Sequence, residues 1–171
     1  MADVQAAVEA VMREEDATLS GKITTIPGDV GGKTRFGLAS RFHPELEATG
    51  FYTTMPTDEA LALAESSMAR TYAAPLMIEQ IADQALATKF LSYGVNEDPE
   101  RAVQAMQFAL NVLLPDARIV ADSKMGPLTL AAIKRCMPIS LLNAFKLEMI
   151  QRYVIYAKDN VLRGLVNRAL S

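Results

Sequence analysis

Two adjacent glutamates, Glu14 and Glu15, precede an aspartate at Asp29 and a threonine at Thr34. An acid, a second carboxylate and a hydroxyl gathered around one cleft are what cleavage of a glycosidic bond requires. One group donates a proton to the leaving oxygen, and its partner handles a water or an oxocarbenium-like charge. Gly31 and Gly32 lie between the aspartate and the threonine, where they let the backbone turn tightly and a bulky ligand come close. Glu14, Glu15 and Asp16 fall at the C-terminal end of a helical pattern, where negative charge opposes the helix dipole by about 0.3–1 kcal/mol per exposed residue. The sequence offers no structural reason for three acids there, which favours a functional one.

Other chemistries have few candidates. His43 is the single histidine, so a His-rich zinc site is excluded and a Ser-His-Asp triad has one possible base. It precedes Pro44 in a loop and reads as a surface histidine. Cys136 is the single cysteine and has no internal disulfide partner. In its apolar run it reads as a buried, inert thiol. Catalysis must then rest on carboxylates, with no cofactor and no metal expected. A net charge of −3 argues against nucleic acid, which calls for a basic face. No secretory signal and no apolar run of membrane-spanning length are visible, so a product made in the cytoplasm without stable membrane insertion is expected.

These residues need elements to hold them. At 171 residues, half of them hydrophobic, the chain can bury a core without disulfides or metal. Val4, Ala7, Val8, Val11 and Met12 predict a first amphipathic helix over about residues 2–15. From Leu19 to Leu38 the β-branched Ile23, Thr24, Thr25 and Ile26, broken by glycines, predict a small hairpin. Residues 41–56 read as loop. Thr57 reads as the cap of a helix that Pro75 ends, followed by another over about 76–92. Tyr93 to Asn96 read as a connector, and Asp98-Pro99-Glu100 as the start of a further helix. Polar loop runs from Pro115 to Met125. Helices then follow from Gly126-Pro127 to Arg135, from Pro138 through Tyr156, and over Val161 to Leu170. The expectation is an α+β fold, mostly helical with one N-terminal β element.

The run Asp29-Val30-Gly31-Gly32-Lys33-Thr34-Arg35-Phe36-Gly37-Leu38 resembles the Asp-x-Gly-Gly-x-Thr-x-x-Gly-Ile motif of glycoside hydrolase family 108. That family comprises phage and prophage endolysins acting as N-acetylmuramidases. Gln107, Leu110 and Asn111 are similar to its central Gln-x-x-Leu-Asn run. Asp122 to Thr129 resembles the element that opens its C-terminal peptidoglycan-binding region, and the stretches around Arg152 and Gly164 to Arg168 loosely match its closing patterns.

The resemblance implies a lysozyme-like fold, with a catalytic region over 1–114 and a helical region over 115–171 packed on it, or both as one compact domain. It also implies Glu14 as general acid, with Glu15 as the alternative, Asp29 as the residue that positions water, and Thr34 as its holder. Phe36, Tyr72, Tyr93 and Gln107 are the implied substrate-binding residues, with Tyr52 a further stacking candidate in a chain that lacks tryptophan. The implied partner is the peptidoglycan glycan strand, cut between N-acetylmuramic acid and N-acetylglucosamine. The implied protein is a monomer that waits in the cytoplasm and acts in the periplasm or cell wall once a holin opens the membrane.

The family's acid is usually followed by Gly-Gly and an aromatic residue; here Glu15-Asp16-Ala17 follows Glu14. The segment from acid to aspartate is also longer than in the family, by an even number of residues counted from Glu14 and an odd number from Glu15. A hairpin lengthens symmetrically by even steps, and an odd step needs a bulge, which favours Glu14. A non-cleaving protein that binds peptidoglycan or a phage partner is the alternative reading of these departures.

Overall fold

A computed structural model describes residues 1–25, 31–156 and 159–170. Helix α1 (Val4–Glu15) begins where the Asp3 carboxylate accepts from the Ala6 N–H, and it buries Ala7, Val8, Val11 and Met12. A three-stranded antiparallel sheet follows, β1 (Thr24–Thr25), β2 (Lys33–Arg35) and β3 (Leu38–Ala39), in that spatial order. Thr24 pairs with Thr34, and Arg35 with Leu38. The expected hairpin is thus a hairpin plus a third short strand.

The β2–β3 turn is Phe36-Gly37, with φ of 51° and 79°. Positive φ at both central residues is the twist that a two-residue hairpin needs, and it is costly for a phenylalanine. Phe36 tolerates it because its ring is buried against Gly21. A Cβ at Gly21 would stand 2.6 Å from the ring's Cζ.

Arg35 anchors this sheet from inside and is only 4% exposed. Its Nε donates to the Gly21 carbonyl at 2.9 Å, and its Nη1 to those of Phe51 and Met55 at 2.8 and 2.9 Å. The rings of Phe36 and Phe51 lie 5.7 and 5.6 Å from the guanidinium carbon.

A 3-10 turn (Pro44–Thr49) leads to α2 (Thr57–Met68), which continues as a π turn (Ala69–Ala73). The residue at the cap position of α2 is Pro56, not Thr57, whose hydroxyl meets Arg35 Nη2 at 3.5 Å. The helix expected from 76 begins later. A 3-10 turn (Ile78–Gln80) precedes α3 (Gln84–Asn96), capped by the Asp83 carboxylate on the Leu86 N–H. It then runs straight through the expected connector. Gly94 does not end it, because the bare Cα is needed for packing: a Cβ there would sit 2.7 Å from Leu76 Cδ1.

Asp98 caps α4 (Pro99–Leu113) as its sequence predicts, and α5 (Pro127–Arg135), α6 (Pro138–Tyr156) and α7 (Asp159–Leu170) follow. Helix α6 lies along α4 and α3, so Phe145, Met149 and Tyr153 share one apolar cluster with Phe90, Tyr93 and Met106. Tyr93 meets Phe145 and Tyr153 edge-on at 5.7 and 5.6 Å.

Two measurements follow from this core. Arg35→Lys replaces a five-donor fork by a point charge that cannot serve three carbonyls, and should cost about 3 kcal/mol in urea unfolding. Burial pushes the Tyr153 phenol up to about 12, with the Asn96 amide opposing it and the Glu97 charge adding to it, and burial raises Tyr52 and Tyr93 as well. Phenols with raised folded-state values contribute stability that is complete below their ordinary value of 10.0 and lost as pH climbs past it. The unfolding midpoint should therefore hold steady over about pH 7–9 and fall progressively above 10.

Candidate functional site

A cleft of about 270 Å³ opens where the end of α1 meets the sheet, α3 and α7. Val11, Glu14 and Glu15 reach it from one face of α1, being spaced i, i+3 and i+4. Thr34, Gly37 and Ala39 line it from β2, the turn and β3; Ser92, Val95 and Asn96 from α3; and Arg168 from α7. The structure thus brings Glu14, Glu15, Thr34 and Tyr72 to one place. Asp29 lies outside the described residues.

Each acid at the end of α1 has its own partner. The Glu14 side chain is 29% exposed; its Oε2 accepts from Ser92 Oγ at 2.7 Å, and its Oε1 stands 4.0 Å from Lys89 Nζ. Glu15 is 37% exposed and accepts from Arg168 Nη2 at 2.6 Å. The turn carrying Gly37 passes close over it, where a Cβ would come within 3.1 Å of Glu15 Cγ. Asp16 is the C-cap residue, and its carboxylate accepts from Gly21 N, Ser20 Oγ and Thr18 Oγ1 at 2.8, 3.0 and 3.1 Å. Burial raises its pKa, but these hydrogen bonds outweigh that and leave it below the ordinary carboxylate value. Asp16 therefore has the structural purpose that helix electrostatics alone did not reveal: it folds the turn leading into β1.

Arg168 is a cation of the cleft wall, and Lys89 is a second cation buried beside Glu14. Lys89 is 6% exposed and donates to the Arg168 carbonyl at 2.9 Å. Burial lowers its pKa, with Glu14 opposing that and Lys146 and Arg168 adding to it. Arg168 also donates to Asn96 Oδ1 at 2.7 Å, so one side chain ties α7 to both α1 and α3.

Four of the implied sugar-binding residues lie elsewhere. Phe36 and Tyr93 are 2% and 1% exposed, with rings buried in the core and no face left for a sugar. Tyr52, at 2%, packs edge-on against Phe51. Gln107 is buried and works as a clamp. Its Nε2 donates to Asp122 Oδ1, Thr129 Oγ1 and the Lys124 carbonyl, while its Oε1 accepts from Ser123 N. Asn111 does the same for Ile119, exchanging two 2.8 Å bonds with its backbone. The Gln-x-x-Leu-Asn run thus holds the Asp122–Thr129 loop in place.

Two cleft residues escaped sequence reasoning. His43 is not on the surface but 2% exposed, with Nε2 2.9 Å from the Tyr72 hydroxyl and Nδ1 3.3 Å from Glu45 Oε1. Phe42 is 64% exposed and lines the cleft. The only sequence signal for it is a lone aromatic between Arg41 and His43 in a polar stretch. Cys136 is half-buried, and burial raises its thiol pKa, in keeping with an inert residue. Among the described residues no cluster of His, Cys, Asp or Glu has metal-binding geometry.

The helical body and the small N-terminal sheet, with the cleft between them, make a mostly helical α+β fold of the lysozyme-like kind. The structure of SagA from Brucella abortus is similar over 98% of this chain and 93% of that one, with a TM-score of 0.70 at 16% identity. No family model and no curated protein sequence matches the chain. The likeness to SagA is one of fold.

Gln107→Leu tests the clamp: leaving Ser123 N–H and the loop acceptors unpaired should cost about 2 kcal/mol in thermal or urea unfolding.

Proposed function

We propose that the protein is a glycoside hydrolase of the peptidoglycan glycan strand, an N-acetylmuramidase of the family 108 kind. The observation that carries this reading is the meeting of two glutamates from the end of α1 with Thr34 of the sheet in one cleft. In it, Glu14 protonates the glycosidic oxygen between N-acetylmuramic acid and N-acetylglucosamine, and Thr34 holds the water or the sugar. Asp29, on the segment between β1 and β2, supplies the second carboxylate.

Glu14 is the less exposed of the two glutamates and takes a hydroxyl donor from Ser92, whereas Glu15 already accepts from Arg168 at 2.6 Å. Glu15 in this reading sets the position of Arg168 and the cleft wall. The protein acts as a monomeric phage or prophage endolysin, held in the cytoplasm until a holin admits it to the wall.

A second reading, a wall-binding protein that does not cleave, is favoured by the same ion pair and by the absence of Gly-Gly after the acid. Turbidity loss on outer-membrane-stripped cells, with reducing ends counted, separates the two. Glu14→Gln should lower the rate by about 10²-fold or more with an unchanged melting temperature. Activity lost in Glu15→Gln but kept in Glu14→Gln would move the acid to Glu15. Wall retention without new reducing ends in the wild-type chain would establish the second reading.

A further inference from the structure

A second cavity, also of about 270 Å³, lies where the end of α3 meets α4 and α6. Its walls carry hydrogen-bond donors that the fold leaves unused. Arg101, Gln104 and Phe108 share one face of α4, spaced i, i+3 and i+7. From α6 the Arg152 guanidinium stacks over Phe108 at 5.5 Å and donates from Nη2 to Gln104 Oε1 at 3.2 Å. Its Nε is enclosed without an acceptor, and among the described residues Arg152 pairs with no carboxylate. Arginine only donates, so Gln104 must turn its carbonyl oxygen that way. The amide nitrogen of Gln104 is then left without a partner among the described residues. Tyr93 is 1% exposed, yet it lines the cavity, and its hydroxyl has no hydrogen-bond partner among the described residues. Burial, followed by the charge of Glu97, raises the Tyr93 pKa, so the phenol keeps its proton and can donate.

Three donors from three helices thus line one cavity with a positive charge that no carboxylate balances, and what they lack is an anionic oxygen acceptor. The acids nearby limit its charge. Glu97 and Asp98 already hold Arg101, at 3.0 and 3.3 Å. Glu148 is close enough for Arg152 to lower its pKa, against the larger raising effect of burial. Those carboxylates would repel a dianion such as phosphate. A carboxylate brings one charge, in the planar two-oxygen form that a guanidinium receives. We infer that this cavity binds a carboxylate of the peptidoglycan stem peptide, with Arg152 as its counter-ion and the Gln104 amide and Tyr93 hydroxyl as its further donors. The source of that carboxylate rests on the reading of the cleft as a peptidoglycan site. The stem peptide branches from the sugar strand, and the consecutive residues Asn96 and Glu97 line the cleft and this cavity respectively.

Calorimetric titration of the full chain with a sugar-free stem tetrapeptide, and with the same peptide fully amidated, tests it. The free acid should bind at least about tenfold more tightly than the amide. Arg152→Gln should abolish that preference. Tyr93→Phe should weaken the free acid by about fivefold with an unchanged melting temperature, since the hydroxyl it removes bonds to nothing in the fold.

Equal affinity for acid and amide overturns the site, and so does a preference that survives both Arg152→Gln and Tyr93→Phe. Inorganic phosphate that displaces the tetrapeptide at equal concentration overturns the choice of a carboxylate. Acetate binding that depends on Arg152, in a chain with no affinity for the tetrapeptide, overturns the stem-peptide source. Reducing ends released by a chain that ignores the tetrapeptide overturn the site and leave the hydrolase reading standing. Tetrapeptide binding that needs Arg152 and Tyr93, with no reducing ends formed, upholds the site and defeats the hydrolase reading.

Discussion

The guanidinium of Arg35 is the constraint on which the site's geometry depends. The three strands contain two, three and two residues, far too few to build a core of their own. What fixes them is a buried cation that joins β2 to the Gly21 turn on one side and to the Phe51–Met55 loop on the other. Because Arg35 points inward, its neighbour Thr34 points outward to the cleft, as strand alternation demands. The same anchor seats Phe36 under Gly21, which in turn lays Gly37 over Glu15. One side chain thus sets the distance between the two halves of the cleft.

The opposite wall is made by helices from distant parts of the chain. Ser92 and Asn96 line it from α3, with Lys89 buried one turn before Ser92, and Arg168 arrives from α7. Each of the two carboxylates from α1 has a cation beside it, Arg168 in the wall for Glu15 and the buried Lys89 for Glu14. A lysine as buried as Lys89 would otherwise carry a heavy desolvation cost. The carbonyl of Arg168 and the nearby Glu14 offset it.

Much of this was legible in local sequence. The Asp98-Pro99-Glu100 start of α4, the Gly126-Pro127 start of α5 and the period of α1 are short-range signals, and the structure carries each. The signals that misled were those whose meaning depends on distant partners. Gly94 reads as a breaker, yet it is a packing contact for Leu76. His43, beside a proline in a polar stretch, reads as surface, yet Tyr72 and Glu45 enclose it. Arg35 is of a residue type seldom buried, and only the carbonyls around it make its burial tolerable. Phe36 and Tyr93 read equally well as sugar platforms or core, since an aromatic residue's type does not say which of its faces is covered. The acids at the end of α1 looked alike in sequence, and the structure separates them into one turn-former and two cleft residues.

The contact between Glu15 and Arg168 spans 153 positions. On a ribosome the chain emerges from its N-terminal end, so α1, the sheet and α3 are all outside long before α7 exists. Throughout that interval the glutamates stand in a half-built trough without Arg168 beside them. That wall of the cleft is supplied by an element translated long after the glutamates, and the order of synthesis itself decides when a closed site first appears.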